Sequence, residues 1–175
     1  MTRYQYIQNG RSVWLIKPAT DTRDDKDSKT IIKSRIGLEA EARAVQDSDN
    51  LFNVYMTHWK YNKPDVIICD EAQFLTPTQI EELKMLADEK NIQVFCYGLR
   101  TDFRSCLFEG SKRLFELASV VKNIPVICDC GNFAVINARI VNGEITVEGD
   151  QIDIGGDEKY RAFCYACWKK FQEKC

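Results

Sequence analysis

Residues 65 to 74, DVIICDEAQF, are an apolar run that ends in two adjacent carboxylates. Val66, Ile67 and Ile68 read as a buried parallel strand with Asp70 and Glu71 at its C-terminal tip. In open α/β sheets that tip is where ligands bind. An aspartate there can hold Mg²⁺, and a glutamate beside it can take the proton from an attacking hydroxyl. The plain alternative is a pair of solvated acids closing a strand. It is weakened by the strongly apolar strand and by the residues that follow, Ala72, Gln73 and Phe74, which do not spell a turn.

Cysteines form the second group with chemistry. The chain has 8, and with no export signal a disulfide framework is not expected. Cys69 and Cys96 lie inside apolar runs, Cys106 in a loop and Cys175 at the terminus. The other four pair as CDC (Cys128, Cys130) and CYAC (Cys164, Cys167). One pair precedes a hairpin and the other opens a short helix, as in zinc ribbons, so four thiolates around a structural zinc are the favoured reading. The first pair is one residue tighter than the usual C-x-x-C, and a cluster of reduced cysteines is the alternative.

Two further stretches are suggestive. In GLRTDFRSCLF, Leu99, Phe103 and Phe108 can line an apolar pocket and Arg104 can face phosphate oxygens, or the phenylalanines can simply lid the core. In IGGDEKY, the glycines let backbone approach a ligand and Tyr160 can stack on a base, or the segment is a turn. His58, the only histidine, falls on the polar side of its helix, which disfavours a histidine base.

The elements that must position these groups are legible. A helix tail and a turn at Asn9-Gly10 lead into a strand from about Ser12 to Ile16, stopped by Pro18. Residues 21 to 35 are charged and aperiodic and read as a mobile loop. Asn50 caps a helix with Leu51, Val54 and Tyr55 on one face. Thr76, Pro77 and Gln79 form a capping box ahead of a stripe of Ile80, Leu83, Leu86 and Ala87. IQVFCYGL is a second buried strand. SKRLFELASVV is a helix with Leu114, Leu117, Ala118 and Val121 inward. Alternating strands and helices predict a parallel sheet covered by helices. After Lys122 the pattern turns antiparallel, with Asn142-Gly143 as a hairpin turn, so a boundary is expected near 123.

At 175 residues, 45% hydrophobic and 29% charged, the chain has the profile of a soluble globular protein. A net charge of −2 without a Lys/Arg block argues against a nucleic-acid binder. No stretch is long and apolar enough to span a bilayer, so a cytoplasmic protein with no membrane partner is expected.

Taken together, IKPATDTRD, SRIGL, DEAQF, GLRTDFR, LFEGS, CDCG and IGGDEKYRAFCYAC, in this order and spacing, resemble the zinc-containing, phosphate-loop (type II) thymidine kinases from about Arg11 onward. The tight Cys-x-Cys is similar to one bacterial subgroup. The resemblance implies an α/β fold: a parallel-sheet, phosphate-loop NTPase-like core over residues 1–122 and a zinc-ribbon-like domain over residues 123–175 carrying a substrate-binding loop. It implies transfer of the γ-phosphate of ATP to the 5′-hydroxyl of thymidine, with Mg²⁺, structural zinc, feedback inhibition by thymidine triphosphate (dTTP), and a homotetramer. It makes Glu71 the proton acceptor, Asp70, Glu71, Ala72 and Gln73 the nucleotide and Mg²⁺ segment, and Arg23, which matches a family arginine near the flexible segment, a further member of the ATP- and Mg²⁺-binding group. Phe74, Leu99, Phe103 and Phe108 become the thymidine pocket, Tyr160 the cover of the thymine ring, and Ile154, Gly155 and Gly156 the main-chain contact to the base. Cys128, Cys130, Cys164 and Cys167 hold the zinc that pins this loop.

No G-x-x-x-x-G-K-[ST] occurs in these residues. In the family that loop and its strand precede the position matched by Met1. The expectation is a longer native chain carrying the loop; the alternative is a relative that binds thymidine without an ATP site. DEAQ also occurs as the ATPase motif of some helicases, which makes a nucleic-acid module the more remote alternative.

Overall fold

Two helix starts follow directly from their capping side chains. Asn50 accepts from the amide of Asn53 and opens α2, Leu51–His58. Thr76 and Gln79 close both arms of a capping box and open α3, Pro77–Lys90, with Pro77 in its first turn. The computed structural model describes residues 2–22, 25, 29–34, 37–152 and 159–172. The chain divides into two compact units, Met1–Leu99 with Glu109–Ala118, and Arg100–Phe108 with Ser119–Cys175.

In the first unit, helix α1 (Thr2–Gln8) leads into β1 (Val13–Pro18), followed by β2 (Ile31–Lys33), β3 (Glu39–Glu41) and β4 (Arg43–Val45). After α2 come β5 (Val66–Cys69), a 3₁₀ turn (Ala72–Phe74), α3, β6 (Gln93–Cys96) and α4 (Glu109–Leu117). The main sheet runs β4-β1-β5-β6, and all its pairings are parallel. Central β5 is buried along its whole length, as a strand covered on both faces must be. Trp14, Ile16, Leu51, Tyr55, Ile67, Leu83 and Leu86 build the core between sheet and helices.

Three expectations are corrected. The stretch read as a mobile loop contains β2, which pairs antiparallel with β3. The β-branched Ile31 and Ile32 favour that strand, and the carbonyl of Ile31 accepts from Lys17 Nζ at 2.9 Å. Strand β6 is only half-buried, because it is the outer strand of the described sheet. Helix α4 starts at Glu109 and ends at Leu117. Leu114 and Leu117 pack on the core, whereas Ala118 and Val121 lie beyond the helix and are exposed.

The second unit holds a three-stranded sheet, β8-β7-β9, formed by β7 (Ile136–Val141), β8 (Glu144–Thr146) and β9 (Tyr160–Phe163), then α5 (Tyr165–Gln172). Asn142 and Gly143 take φ of +52° and +86°, the left-handed pair that a two-residue hairpin requires. Strands were expected from Ile124 onward. Between 123 and 135 the described residues contribute only the bridge Ile127↔Phe133. Ile136, Ala138, Phe163 and Trp168 pack with Cys128 and Cys164 in a small core of their own.

Candidate active site and metal centre

The ladder between β1 and β5 pairs Ile16 with Cys69, and the amide of Asp70 then donates to the carbonyl of Ile16 at 3.0 Å. The next residue, Glu71, has φ 50° and ψ 37°, a left-handed backbone that a non-glycine residue adopts at a cost and that concentrates at functional sites. Its amide donates to Asp70 Oδ1 at 3.1 Å. The chain then turns through Ala72–Phe74, and the Ala72 amide donates to the carbonyl of Tyr97 at 2.8 Å.

Gln73 fixes the glutamate. Its side chain is buried, its Nε2 donates to Glu71 Oε2 at 2.5 Å, and its Oε1 accepts from the amide of Leu99 at 3.0 Å. One amide therefore ties the carboxylate after β5 to the backbone after β6. Two glycines make room for this. A Cβ on Gly98 would stand 3.1 Å from the amide nitrogen of Gln73, with Gln73 Oε1 closer still, and one on Gly110 would meet the carbonyls of Leu75, Ala72 and Gln73 at 2.6 to 2.8 Å. Ser111 Oγ donates to the carbonyl of Leu99 at 2.6 Å, so the start of α4 holds both segments.

Lys17, at the end of β1, is 1% exposed. Its ammonium lies 3.4 Å from Asp21 and 3.2 Å from Asp25. Burial, reinforced by the charge of Glu71, holds the Asp70 carboxyl above its ordinary value; Asp21 adds to this and Lys17 opposes it. A carboxylate raised by burial and a like charge, at a strand tip, is a group that gains from a bound cation.

In the second unit, Asp102 builds a tight turn. Its Oδ1 accepts from the amides of Arg104 and Cys106, each at 2.9 Å, and Arg104 Nε reaches its Oδ2 at 3.3 Å. The turn carries Phe103, which is buried with the guanidinium of Arg139 4.0 Å from its ring centre. The same arginine donates to the hydroxyl of Tyr160. Phe108 is buried as well.

The sulfurs of Cys128, Cys130, Cys164 and Cys167 all lie within 4.8 Å of one another, and those of Cys130 and Cys164 are 3.6 Å apart. Tetrahedral zinc with bonds of about 2.3 Å places sulfurs about 3.8 Å apart. The amide of Asn132, helped by the neighbouring thiols, pulls Cys130 down to about 6, and backbone amides lower Cys128 as well. Cys167, hydrogen-bonded to Cys130 and Cys164, is pushed up to about 12. Two thiols lowered and a third raised, with all four sulfurs this close, is a set that a divalent cation completes, and the residues fit zinc. By contrast, Cys69 is buried and pushed up mainly by that burial, the behaviour of a core residue.

Of the expected site residues, Asp70, Glu71, Ala72, Gln73, Phe74 and Leu99 gather in the first unit around the ends of β5 and β6. Phe103, Phe108, Tyr160 and the four cysteines belong to the second unit. Arg23, Ile154, Gly155 and Gly156 lie outside the described residues. His58 is exposed. Sequence reasoning missed Lys17, Asp102, Arg139 and the packing role of Gly110. The first three sat in view: a lysine closing an apolar strand, an aspartate two residues before the second arginine of GLRTDFR, and an arginine inside INARIV, on the same face as Asn137.

A parallel sheet whose buried central strand ends in an acid pair, with a small second unit that gathers four cysteines able to hold a metal ion, defines the class: an α/β protein with a cysteine-bearing lobe. A family profile described as thymidine kinase matches residues 1–168. The chain is 37% identical over 168 residues to a thymidine kinase of Rhodopirellula baltica, covering 95% of this chain and 78% of the other. It is 39% identical over 174 residues to that of Enterobacteria phage T4, covering 98% and 87%. It is 41% identical over 169 residues to that of Legionella pneumophila, covering 95% and 79%. The chain belongs to the thymidine kinase family. These matches do not favour the non-catalytic and helicase readings. No helix among the described residues is long and apolar enough to cross a membrane.

Proposed function

We propose that this protein transfers the γ-phosphate of ATP to the 5′-hydroxyl of thymidine, giving thymidine monophosphate for DNA synthesis. The observation that carries this reading is the held glutamate: in a chain of this family, Glu71 stands at the sheet's C-terminal edge with its carboxylate fixed by Gln73. As the 5′-oxygen attacks, its bond to phosphorus forms, the bond from phosphorus to the β,γ-bridging oxygen breaks, and the hydroxyl proton passes to Glu71. Phosphoryl transfer is mainly positioning and charge stabilisation, so a carboxylate fixed by a buried amide suits the role.

Asp70 would hold Mg²⁺ in this reading, and Asp70–Gln73 together with Arg23 make up the ATP- and Mg²⁺-binding group; when bound, the ion would neutralise charge on the phosphates. Its support is the carboxyl raised by burial. Phe74, Leu99, Phe103 and Phe108 are the apolar residues that would contact thymidine in this reading, Tyr160 would cover the thymine, and the main chain of Ile154, Gly155 and Gly156 would contact the base. The cysteines hold zinc, which supplies structural cross-linking. The reading extends to a cytoplasmic homotetramer inhibited by dTTP. A thymine pocket admits the end product as it does the substrate, and exposed Val120, Val121 and Ile124 are apolar surface that assembly would cover.

The test is ATP-dependent phosphorylation of a nucleoside panel by the native, full-length protein. Thymidine is expected to be the preferred acceptor over cytidine and adenosine; equal or greater turnover with either would overturn the assignment.

A further inference from the structure

A buried arginine normally faces a carboxylate, since an unpaired charge is costly to remove from water. Arg139, in the middle of β7, is 6% exposed, and none of the carboxylates of the described residues forms an ion pair with it. Its compensation comes from aromatic faces and neutral oxygens. The guanidinium carbon lies 4.0 Å from the ring centre of Phe103 and 5.7 Å from that of Tyr160, distances at which a cation is attracted to a ring face. Nη2 donates to the carbonyl of Asp150 at 2.9 Å and to the hydroxyl of Tyr160 at 3.1 Å, and Nε reaches the same hydroxyl at 3.3 Å.

The contacts close into a loop. Gln151, next to Asp150, donates from Nε2 to Asp102 Oδ2 at 3.0 Å, and Asp102 organises the turn that presents Phe103. Gly149 makes room for the guanidinium: its φ is +102°, and an added Cβ would sit 2.9 Å from Arg139 Nη1. A planar group with five fixed donors suits this task, and a lysine cannot reproduce it.

We propose that Arg139 is a positioning residue for nucleobase recognition: one guanidinium sets the ring of Phe103, the ring and hydroxyl of Tyr160, and the backbone at Asp150 in fixed relation. The inference rests on the reading above, in which Phe103 and Tyr160 flank the thymine. Arg139 itself touches neither base nor phosphate. It lowers the ordering that thymidine binding would otherwise require.

The test is thymidine affinity by calorimetry on the full-length protein, with steady-state kinetics beside it. Arg139→Lys keeps the charge and loses the fork. Its thymidine Kd and KM are expected to rise about tenfold, equivalent to about 1.4 kcal/mol, while KM for ATP and kcat at saturating thymidine stay within about twofold. A purely structural role would lower the melting temperature and all kinetic parameters together. Tyr160→Phe makes the same test without touching the arginine: weaker thymidine binding supports the tie, and binding equal to the parent's overturns it. In the Tyr160→Phe background, Arg139→Lys should cost less than in the parent, and equal costs would likewise overturn the proposal. The underlying reading has its own control. If Phe103→Ala and Tyr160→Ala leave thymidine affinity unchanged, the rings do not flank the base. If they weaken it while Arg139→Lys binds like the parent, the pocket stands and the positioning role falls.

Discussion

Gln73 donates to Glu71 at 2.5 Å with the same side chain that accepts from the amide of Leu99, so the candidate base is aimed by a residue that performs no proton transfer. Gln73→Met is nearly the same size and removes both bonds. It leaves the Leu99 amide without its acceptor, a loss of about 0.5 to 1.5 kcal/mol for a part-buried bond. Turnover should fall by about ten- to a hundredfold, the scale set by misplacing a reacting group, with thymidine affinity changed far less. Steady-state kinetics beside calorimetry checks this, and parental turnover would show that Glu71 needs no such hold.

Gly110 is a packing requirement rather than a turn. Its missing Cβ leaves space against three backbone carbonyls of the 72–75 segment, and backbone cannot move aside as a side-chain end can. Gly110→Ala should lower stability by about 2 to 3 kcal/mol in a urea titration, despite the gain that alanine normally brings to a helix. A stability equal to the parent's would mean α4 can shift freely on the turn.

Asp70 gives a pH signature. Burial and the charge of Glu71 raise its carboxyl above the ordinary 3.8. The folded state therefore binds the proton more tightly than the unfolded chain, so stability falls as pH rises from about 3.8 through the raised value. Asp70→Asn keeps the oxygen that accepts from the Glu71 amide and removes the ionisation. The variant should melt above the parent at pH 7, with the gap closing as pH approaches the ordinary carboxylate range, and should transfer phosphate poorly. A gap that does not change with pH would remove the buried charge as its cause.

The four thiols make a metal prediction. Protein purified without chelator should contain close to one zinc per chain, and Cys130→Ser should reduce it to a small fraction. Cys128 and Cys164 stand inside the second unit's core with Ile136, Phe163 and Trp168, and Cys167 packs against it. Zinc loss should therefore lower that unit's melting temperature, since structural zinc contributes directly to folding. Metal-free protein with parental stability would return these residues to a plain thiol cluster.

Much of this was legible in the sequence because local signals agreed with the fold. Capping residues named the starts of α2 and α3, the apolar run named β5 with its acids, and Asn142-Gly143 named a hairpin. What escaped depends on distant partners. β2 is three residues in a charged stretch and exists by pairing with β3 and by the grip of buried Lys17 on Ile31. Half-burial of β6 follows from sheet order, which no single strand encodes. Arg139 falls on the polar side of an alternating strand, where an arginine draws no notice; its meaning comes only from Phe103 and Tyr160, at sequence separations no periodicity spans.

The most direct measurement compares kcat and thymidine Kd for the native, full-length protein and its Glu71→Gln variant. Glutamine keeps the size and can still bond to Gln73, but cannot take the proton. The expected result is a fall in kcat of about a hundredfold or more with thymidine Kd within about twofold of the parent. An unchanged kcat would contradict the central claim, because the acid at the tip of β5 would then not be the group that accepts the proton of the 5′-hydroxyl.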